Sequence, residues 1–422
     1  MRRLLFDISY TRTQRENVGI TRTVRRLLQE FGRLDIPLQP VVFAGGAFRA
    51  PLEAAGEAGA APAAPGLAFR LATSRLGKQL VAAVSHLPWP LLRPLWALGS
   101  GRAYGSAAQP AVPGPGDVVL LCDAAWNYAS WRAARHARRR GAAVVTMVHD
   151  LMPLRHPEFV PPLVVRIYGG WLREMLACSD AMICNSAATE ADLRAWAGEQ
   201  RLALPRTGHF RLGADPRPQA ADEAARAELE AFLDSGPPCF AVVGSLEPKK
   251  NHAFLLDVFE GLWAQGVEAR LLVAGRATAE CADVVERLRG HARRGGPLLA
   301  IHDASDAEIL RIYQRARALV FPSLMEGFGL PLVEARTAGC PVIASDLPVF
   351  AELADRGVFL YPRHSREALA QRLRDHVLHD ERAQAGRMPP FLWRDSAAQC
   401  LQVIEALLAP PPAGARPAAG AA

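Results

Sequence analysis

Short β-rich runs alternate with amphipathic helical runs along most of the chain. That order is the signature of parallel α/β sheets. It predicts strands at Leu4–Ser9, Leu38–Phe43, Val118–Cys122, Ala143–Val148 and Ala181–Asn185, with helices at Gly19–Gly32, Trp131–Arg140, Pro162–Cys178 and Ala188–Ala197. A second series follows. Its strands are Cys239–Gly244, Arg270–Ala274, Leu298–His302, Leu319–Pro322 and Pro341–Ala344. Its helices are Ala253–Gln265, Ala279–Arg293, Asp306–Ala316 and Pro331–Ala338. Two α/β halves thus succeed one another, and 422 residues suffice for two domains. An Ala-, Asp-, Glu- and Pro-rich segment at 214–238 divides them, so the boundaries are expected at 1–215, 216–236 (linker) and 237–388. Low-complexity stretches at 44–65 and 410–422 read as mobile.

Composition narrows the class. Half the residues are hydrophobic and 22% are charged, as in a soluble globular protein. No apolar run reaches transmembrane length. The opening Met1-Arg2-Arg3-Leu4-Leu5-Phe6-Asp7-Ile8 is cut by charge too early for a signal peptide and reads as a first strand. Seven scattered cysteines without metal-ligand or redox spacing fit a reducing cytosol. The net charge of +7 rests on 46 arginines and only three lysines, Lys78, Lys249 and Lys250. A positive surface suits anionic lipid or nucleic acid, but no nucleic-acid module is recognisable. Val81–Trp96 mixes Leu87, Trp89, Leu91, Leu92, Leu95 and Trp96 with flanking Arg75, Lys78, Arg93 and Arg102. It reads either as a peripheral membrane contact or as a buried helix pair.

Three motifs carry candidate chemistry. In Val243-Gly244-Ser245-Leu246-Glu247-Pro248-Lys249-Lys250-Asn251, a glycine turn leaves an apolar strand and opens a helix. Such a turn brings backbone N–H groups to a phosphate, and lysine adds a point charge. A solvated basic turn is the plainer alternative. His149-Asp150 follows a strand at its C-terminal end, where open α/β sheets bind ligands. His149 could donate to a sugar hydroxyl or share a proton, with Asp150 fixing its tautomer. A polar pair capping a loop is the alternative there. In the third motif, Glu326 and Glu334 stand eight positions apart, with Gly327, Gly329 and Pro331 between them. Glycines admit a ligand to the main chain, and proline fits a helix start. Glu326 is therefore expected on a loop and Glu334 in the first turn of the next helix, flanking an anion site.

Phe321-Pro322-Ser323, Glu326-Gly327-Phe328-Gly329-Leu330-Pro331, Glu334-Ala335 and Gly339–Ser345 resemble the donor-site signature of the retaining family 4 glycosyltransferases. Asn251, His149-Asp150, Asn17–Arg22, Ser186–Leu193 and Phe391–Ala397 fall where that family's other motifs lie. The resemblance implies an α/β GT-B fold, with two Rossmann-like domains facing a cleft. It also implies a C-terminal helix, 389–409, that crosses back to the N-terminal domain. The activity implied is transfer of a hexose from a nucleotide-sugar to a glycan or lipid-linked saccharide in polysaccharide or lipopolysaccharide assembly. The N-terminal pattern leans towards GDP-mannose or GDP-rhamnose. Carried across residue by residue, Glu334 binds the ribose and Glu326 the donor sugar. Amides of Gly327, Phe328, Gly329 and Leu330 meet sugar and phosphate. Lys250 neutralises the diphosphate beside Gly244, His149 contacts the transferred sugar, and Gly19 lets its loop approach the donor phosphate. Many relatives have arginine where this chain has Ser245, so Lys249 or Arg22 is expected to supply the second cation.

No Asp-x-Asp pair occurs, and lysine plus helix-start amides can stabilise a departing diphosphate. No metal or other cofactor is therefore expected. The resemblance implies retention by same-face attack, with His149, Glu326 and Lys250 at the reacting centre and no enzyme nucleophile. The expected location is cytoplasmic, with contact at the inner membrane face. Other readings are a GT-B epimerase or phosphorylase, or a non-catalytic sugar-nucleotide-binding scaffold. A dinucleotide oxidoreductase is disfavoured because no Gly-x-Gly-x-x-Gly follows either first strand.

Overall fold

A computed structural model describes residues 1–14, 19–51, 87–100, 108–214, 225–234, 236–293 and 296–410. Parts of several expectations lie outside the described residues: Asn17-Val18, most of 44–65, the start of 81–96 with Arg75 and Lys78, Arg102, most of the linker, and 411–422. The chain forms two compact units. One comprises residues up to Asn185, Glu190–Arg211 and the chain from Ser396; the other comprises Ser186–Thr189 and Leu212–Asp395.

The first unit holds an eight-stranded sheet in the order β4-β3-β2-β1-β5-β6-β7-β8. Its strands are β1 (Arg3–Asp7), β2 (Leu38–Ala44), β3 (Ala47–Pro51), β4 (Ala108–Pro110), β5 (Asp117–Leu121), β6 (Ala143–Val148), β7 (Ala181–Cys184) and β8 (Arg206–His209). Pairing is parallel except at β3 and β4, an antiparallel edge that the sequence reading did not contain. β5 is buried at every position, which is why its Val118–Leu121 part reads as an unbroken apolar run. The chain order reverses about β1, whose neighbours are β2 and β5. At the C-terminal ends of β1 and β5, buried Asp123 accepts from the Thr11 amide and hydroxyl, both at 2.8 Å. This fixes the start of the loop that leads to the Gly19–Phe31 helix. The helix Trp393–Leu408 packs on β8, where a side chain at Gly208 would meet Val403 at 2.9 Å.

The second unit holds a six-stranded parallel sheet in the order β11-β10-β9-β12-β13-β14. Its strands are β9 (Cys239–Val243), β10 (Arg270–Ala274), β11 (Leu298–Ile301), β12 (Ala318–Phe321), β13 (Val342–Ser345) and β14 (Val358–Tyr361). Here the order reverses between β9 and β12, which pair directly although far apart in sequence. The loops after these two strands meet at one sheet edge, the usual ligand position in such sheets.

The amphipathic stretch resolves into a helix, Trp89–Ser100. Its tryptophans turn inward. Trp89 packs so closely on Gly170 that a side chain there would lie 2.1 Å from the indole. The indole also donates to Glu174, which pairs with Arg93 and Arg135. Leu92 is buried and Trp96 half-buried, whereas Leu91, Leu95 and Leu98 are 58%, 50% and 76% exposed. These three recur at i, i+4 and i+7, on one helix face. Among the described residues no helix is long and apolar enough to cross a membrane.

Candidate functional site

The turn after β9 begins at Gly244, with φ +145°, and ends at Asn251, which is left-handed at φ +60°. Gly275, just beyond β10, touches it: a Cβ there would lie 1.8 Å from the Gly244 carbonyl oxygen. The Leu246 amide donates to Arg276 at 2.8 Å, and Thr278 Oγ1 donates to Leu246 at 2.6 Å. The turn is thus braced by the β10 loop through main-chain contacts.

The loop after β12 meets this turn. Lys250 Nζ lies 2.5 Å from Glu326 Oε1, and Ser323 Oγ donates to the same oxygen at 2.8 Å. The ammonium also sits 5.2 Å from the Phe321 ring centroid, a cation–π contact. The Leu324 amide donates to the Lys249 carbonyl at 2.8 Å, locking the two loops together. Burial alone would raise the Glu326 carboxyl, but Lys250 and Lys249 outweigh it and hold it below the usual range. Glu326 is therefore a buried anion made tenable by its neighbours.

Gly329, at φ +117°, caps the helix Leu330–Thr337, which starts with Pro331 at its second position. Glu334 lies beyond the first turn, correcting its expected place: the helix begins at Leu330, so the carboxylate stands in the second turn. It is nearly buried, and Tyr313 donates to its Oε2 at 3.3 Å. Arg336 anchors the same helix from below. Fully buried, it donates to Asp355, Cys340, Ala385 and Gly386. Among 46 arginines nothing marked it in the sequence.

The structure therefore joins Lys250 to Glu326 directly. Ser245 and Lys249 lie in the same turn but face Glu247: the Ser245 hydroxyl donates to Oε1 at 2.5 Å, and Lys249 Nζ lies 3.8 Å from Oε2. Glu247, quoted only as part of a motif, was given no role by sequence reasoning. Nor was His252, whose buried ring has no hydrogen-bond partner on either nitrogen among the described residues. Burial and then Lys250 push it down to about 4, so it stays neutral behind the lysines.

Gly19, Arg22 and His149 belong to the first unit. Gly19 opens its helix at φ +52°, with open space where a side chain would project. His149 follows β6, and its Nε2 lies 2.8 Å from the Cys122 carbonyl beyond β5. A carbonyl only accepts, so Nε2 carries hydrogen. Burial lowers the histidine by more than the Cys122 carbonyl and Asp150 raise it, keeping the ring neutral and leaving Nδ1 as an acceptor. The expected partner was Asp150, but that carboxylate accepts from the Met152 amide at 3.0 Å instead. Cys122 therefore sets the tautomer.

Family models match both series of elements: "Glycosyltransferase Family 4" over residues 18–204 and "Glycosyl transferases group 1" over residues 226–387. Together the two models span most of the chain, whose sequence is of the GT-B type and family 4-like. The chain is 28% identical over 408 residues to the serotype-specific mannosyltransferase WbdA of Escherichia coli, covering 94% of this chain and 44% of that one. It thus spans less than half of that relative's length. It is 34% identical over 119 residues to the O-antigen chain mannosyltransferase RfbU of Salmonella typhimurium, covering 28% and 32% of the two chains. Among solved structures it resembles sucrose-phosphate synthase from Thermosynechococcus elongatus. The TM-score is 0.62 at 18% identity, over 96% of this chain and 99% of that one, a likeness of fold alone. The two parallel-sheet units are those of the GT-B class.

Proposed function

We propose that this chain is a metal-independent, retaining glycosyltransferase. It moves a hexose from a nucleotide-sugar to a glycan or lipid-linked saccharide in cell-surface polysaccharide assembly. The observation that carries this reading is the Lys250–Glu326–Ser323 cluster at the β9/β12 reversal, with Ser323 and Glu326 on the loop that leads into the helix capped by Gly329. A cation, the backbone amides of the Gly327–Leu330 loop and fixed carboxylates at one sheet edge suit a sugar diphosphate. The names of WbdA and RfbU favour mannose as the transferred sugar, and the N-terminal pattern leans towards GDP as its carrier.

In this reading Glu334 takes the ribose hydroxyls, and Lys250 with the Gly327–Leu330 amides takes the diphosphate. The bond between the anomeric carbon and phosphate oxygen breaks, and its electron pair stays on the diphosphate. The acceptor oxygen bonds to the anomeric carbon on the same face, and its proton passes to the departing phosphate. Lys250 and the amides stabilise the developing charge, so no metal is called for. Glu326, held by Lys250 and Ser323, orients sugar hydroxyls rather than attacking. His149, through Nδ1, accepts a hydrogen bond from the transferred sugar. Gly19 and Arg22 serve the donor phosphate.

A thermal-shift screen with GDP-, UDP- and dTDP-sugars tests the donor assignment. One nucleotide is expected to raise the melting temperature selectively, and Glu334→Ala to weaken its binding about 100-fold. Turnover should release the nucleoside diphosphate, retain the anomeric configuration and survive a chelator. No shift with any donor, or a covalent sugar adduct on Glu326, contradicts the reading.

We also propose that the ridge of Leu91, Leu95 and Leu98 rests on an anionic bilayer. Among the described residues Arg93 and Arg135 share Glu174, and exposed Arg166 donates to the Leu87 carbonyl just before the helix, so basic side chains lie beside the apolar ridge. Vesicles containing phosphatidylglycerol should sediment the protein, and neutral phosphatidylcholine vesicles should not. Leu91→Glu with Leu95→Glu should reduce the bound fraction about tenfold. Self-association through this face without vesicle binding would refute the bilayer assignment.

A further inference from the structure

We infer that Glu247 is a specificity residue that favours the sugar-linked diphosphate over the free nucleoside diphosphate, by competing with phosphate for Lys249. This rests on the diphosphate assignment above and deepens it.

Both lysines of the turn are occupied by carboxylates, but in different ways. Lys250 and Glu326 are close, nearly buried and supported by Ser323. Lys249 and Glu247 are 3.8 Å apart, and the Glu247 side chain is 37% exposed. The second pair is the looser, so it yields more readily to an incoming anion.

Ser245 gives the loose pair its direction. Its hydroxyl holds Glu247 Oε1 at 2.5 Å, leaving Oε2 towards Lys249. Ser245 therefore anchors an anion within the turn. The side-chain charges of Lys249, Lys250, Glu247 and Glu326 cancel. A sugar diphosphate therefore meets no net charge from these four side chains, and the backbone amides add the attraction.

The free nucleoside diphosphate carries more negative charge than the sugar-linked form, because its terminal phosphate can ionise a second time near pH 6. Repulsion from Glu247 falls more heavily on it. The residue thus biases the turn against the product and speeds its departure. The fold does not need this side chain. Leu246 is braced through Arg276 and Thr278, and the Lys250 amide donates to the Glu247 carbonyl, a main-chain group.

Calorimetry on the full chain tests this, using GDP, UDP and dTDP and their sugar-linked forms with wild type, Glu247→Gln and Ser245→Ala. Glu247→Gln keeps an acceptor for Ser245 and removes the charge. It should tighten the nucleoside diphosphate about fivefold and the sugar-linked form only about twofold, with the difference shrinking in high salt. Product inhibition should strengthen in parallel. Ser245→Ala keeps the charge and should change the ratio of the two affinities little. Equal tightening of both ligands, no tightening, or a Ser245→Ala effect matching Glu247→Gln would overturn the inference. If wild type binds none of the six nucleotides, the diphosphate assignment itself fails, which is a different result.

Discussion

Lys250→Ala is expected to weaken donor binding at least about 100-fold and to destabilise the second unit by about 1–3 kcal/mol at neutral pH. The first effect is the loss of a charge-assisted contact to the diphosphate. The second concerns Glu326. With the ammonium gone, its nearly buried carboxylate keeps only Ser323 and the more distant Lys249. The pH dependence has a definite sign. In the wild type the Glu326 carboxyl sits below its usual value, so its contribution is present above the unfolded pKa and fades as pH falls through the folded one. In the variant, burial is opposed less and the folded pKa rises. The variant then takes up a proton on folding, and its deficit is greatest at neutral pH and shrinks towards about pH 4. Adding Glu326→Gln should restore stability but not donor affinity. Calorimetry for binding and thermal melts across pH separate the two effects. Unchanged donor affinity in Lys250→Ala would sink the diphosphate assignment.

Gly275→Ala is expected to cost about 3 kcal/mol or more, although it adds one methyl group. The Cβ would lie 1.8 Å from the Gly244 carbonyl oxygen, well inside any real contact. Neither strand end yields easily. The Gly275 amide donates to Ile301 at 2.8 Å, and the Gly244 amide donates to Ala274 at 2.9 Å. Relief therefore displaces the turn that carries Lys249 and Lys250, and donor affinity should fall with stability. The contrast is Gly290, within the helix Ala282–Arg293, where a Cβ meets nothing within 4 Å. Gly290→Ala should stabilise by about 0.5–1 kcal/mol. Wild-type melting and affinity in Gly275→Ala would show that the two loops are not coupled as described.

Much of the fold was legible because buried parallel strands are unbroken apolar runs separated by amphipathic helices. Ala143–Val148 and Arg270–Ala274 were placed to the residue, as was the helix Pro162–Cys178. Three of the elements missed lack that signature, whereas β14 carries it as an apolar run and was still not placed. β3 and β4 are short antiparallel strands at one side of the sheet, and β8 lacks buried positions, so neither periodicity nor apolar content distinguishes them from loop. The Trp89–Ser100 helix was ambiguous because it is apolar on more than one face. Packing of Trp89 on Gly170 settled which side turns inward.

The sequence by itself determined the chemistry of each segment: a glycine turn with two lysines, a histidine at a strand end, and two glutamates divided by Gly327, Gly329 and Pro331. These are local properties, set by backbone freedom and side-chain type over a few residues. Only the tertiary structure decided which of them meet. Lys250 and Glu326 are neighbours because β9 and β12 are adjacent at the point where the strand order reverses, a pairing that skips β10 and β11. By the same rule the Cys122 carbonyl, and not the adjacent Asp150, holds His149, because β5 and β6 lie side by side. Sequence distance carries no information about such contacts, since hydrogen bonding between strands, rather than chain order, fixes which loops share an edge.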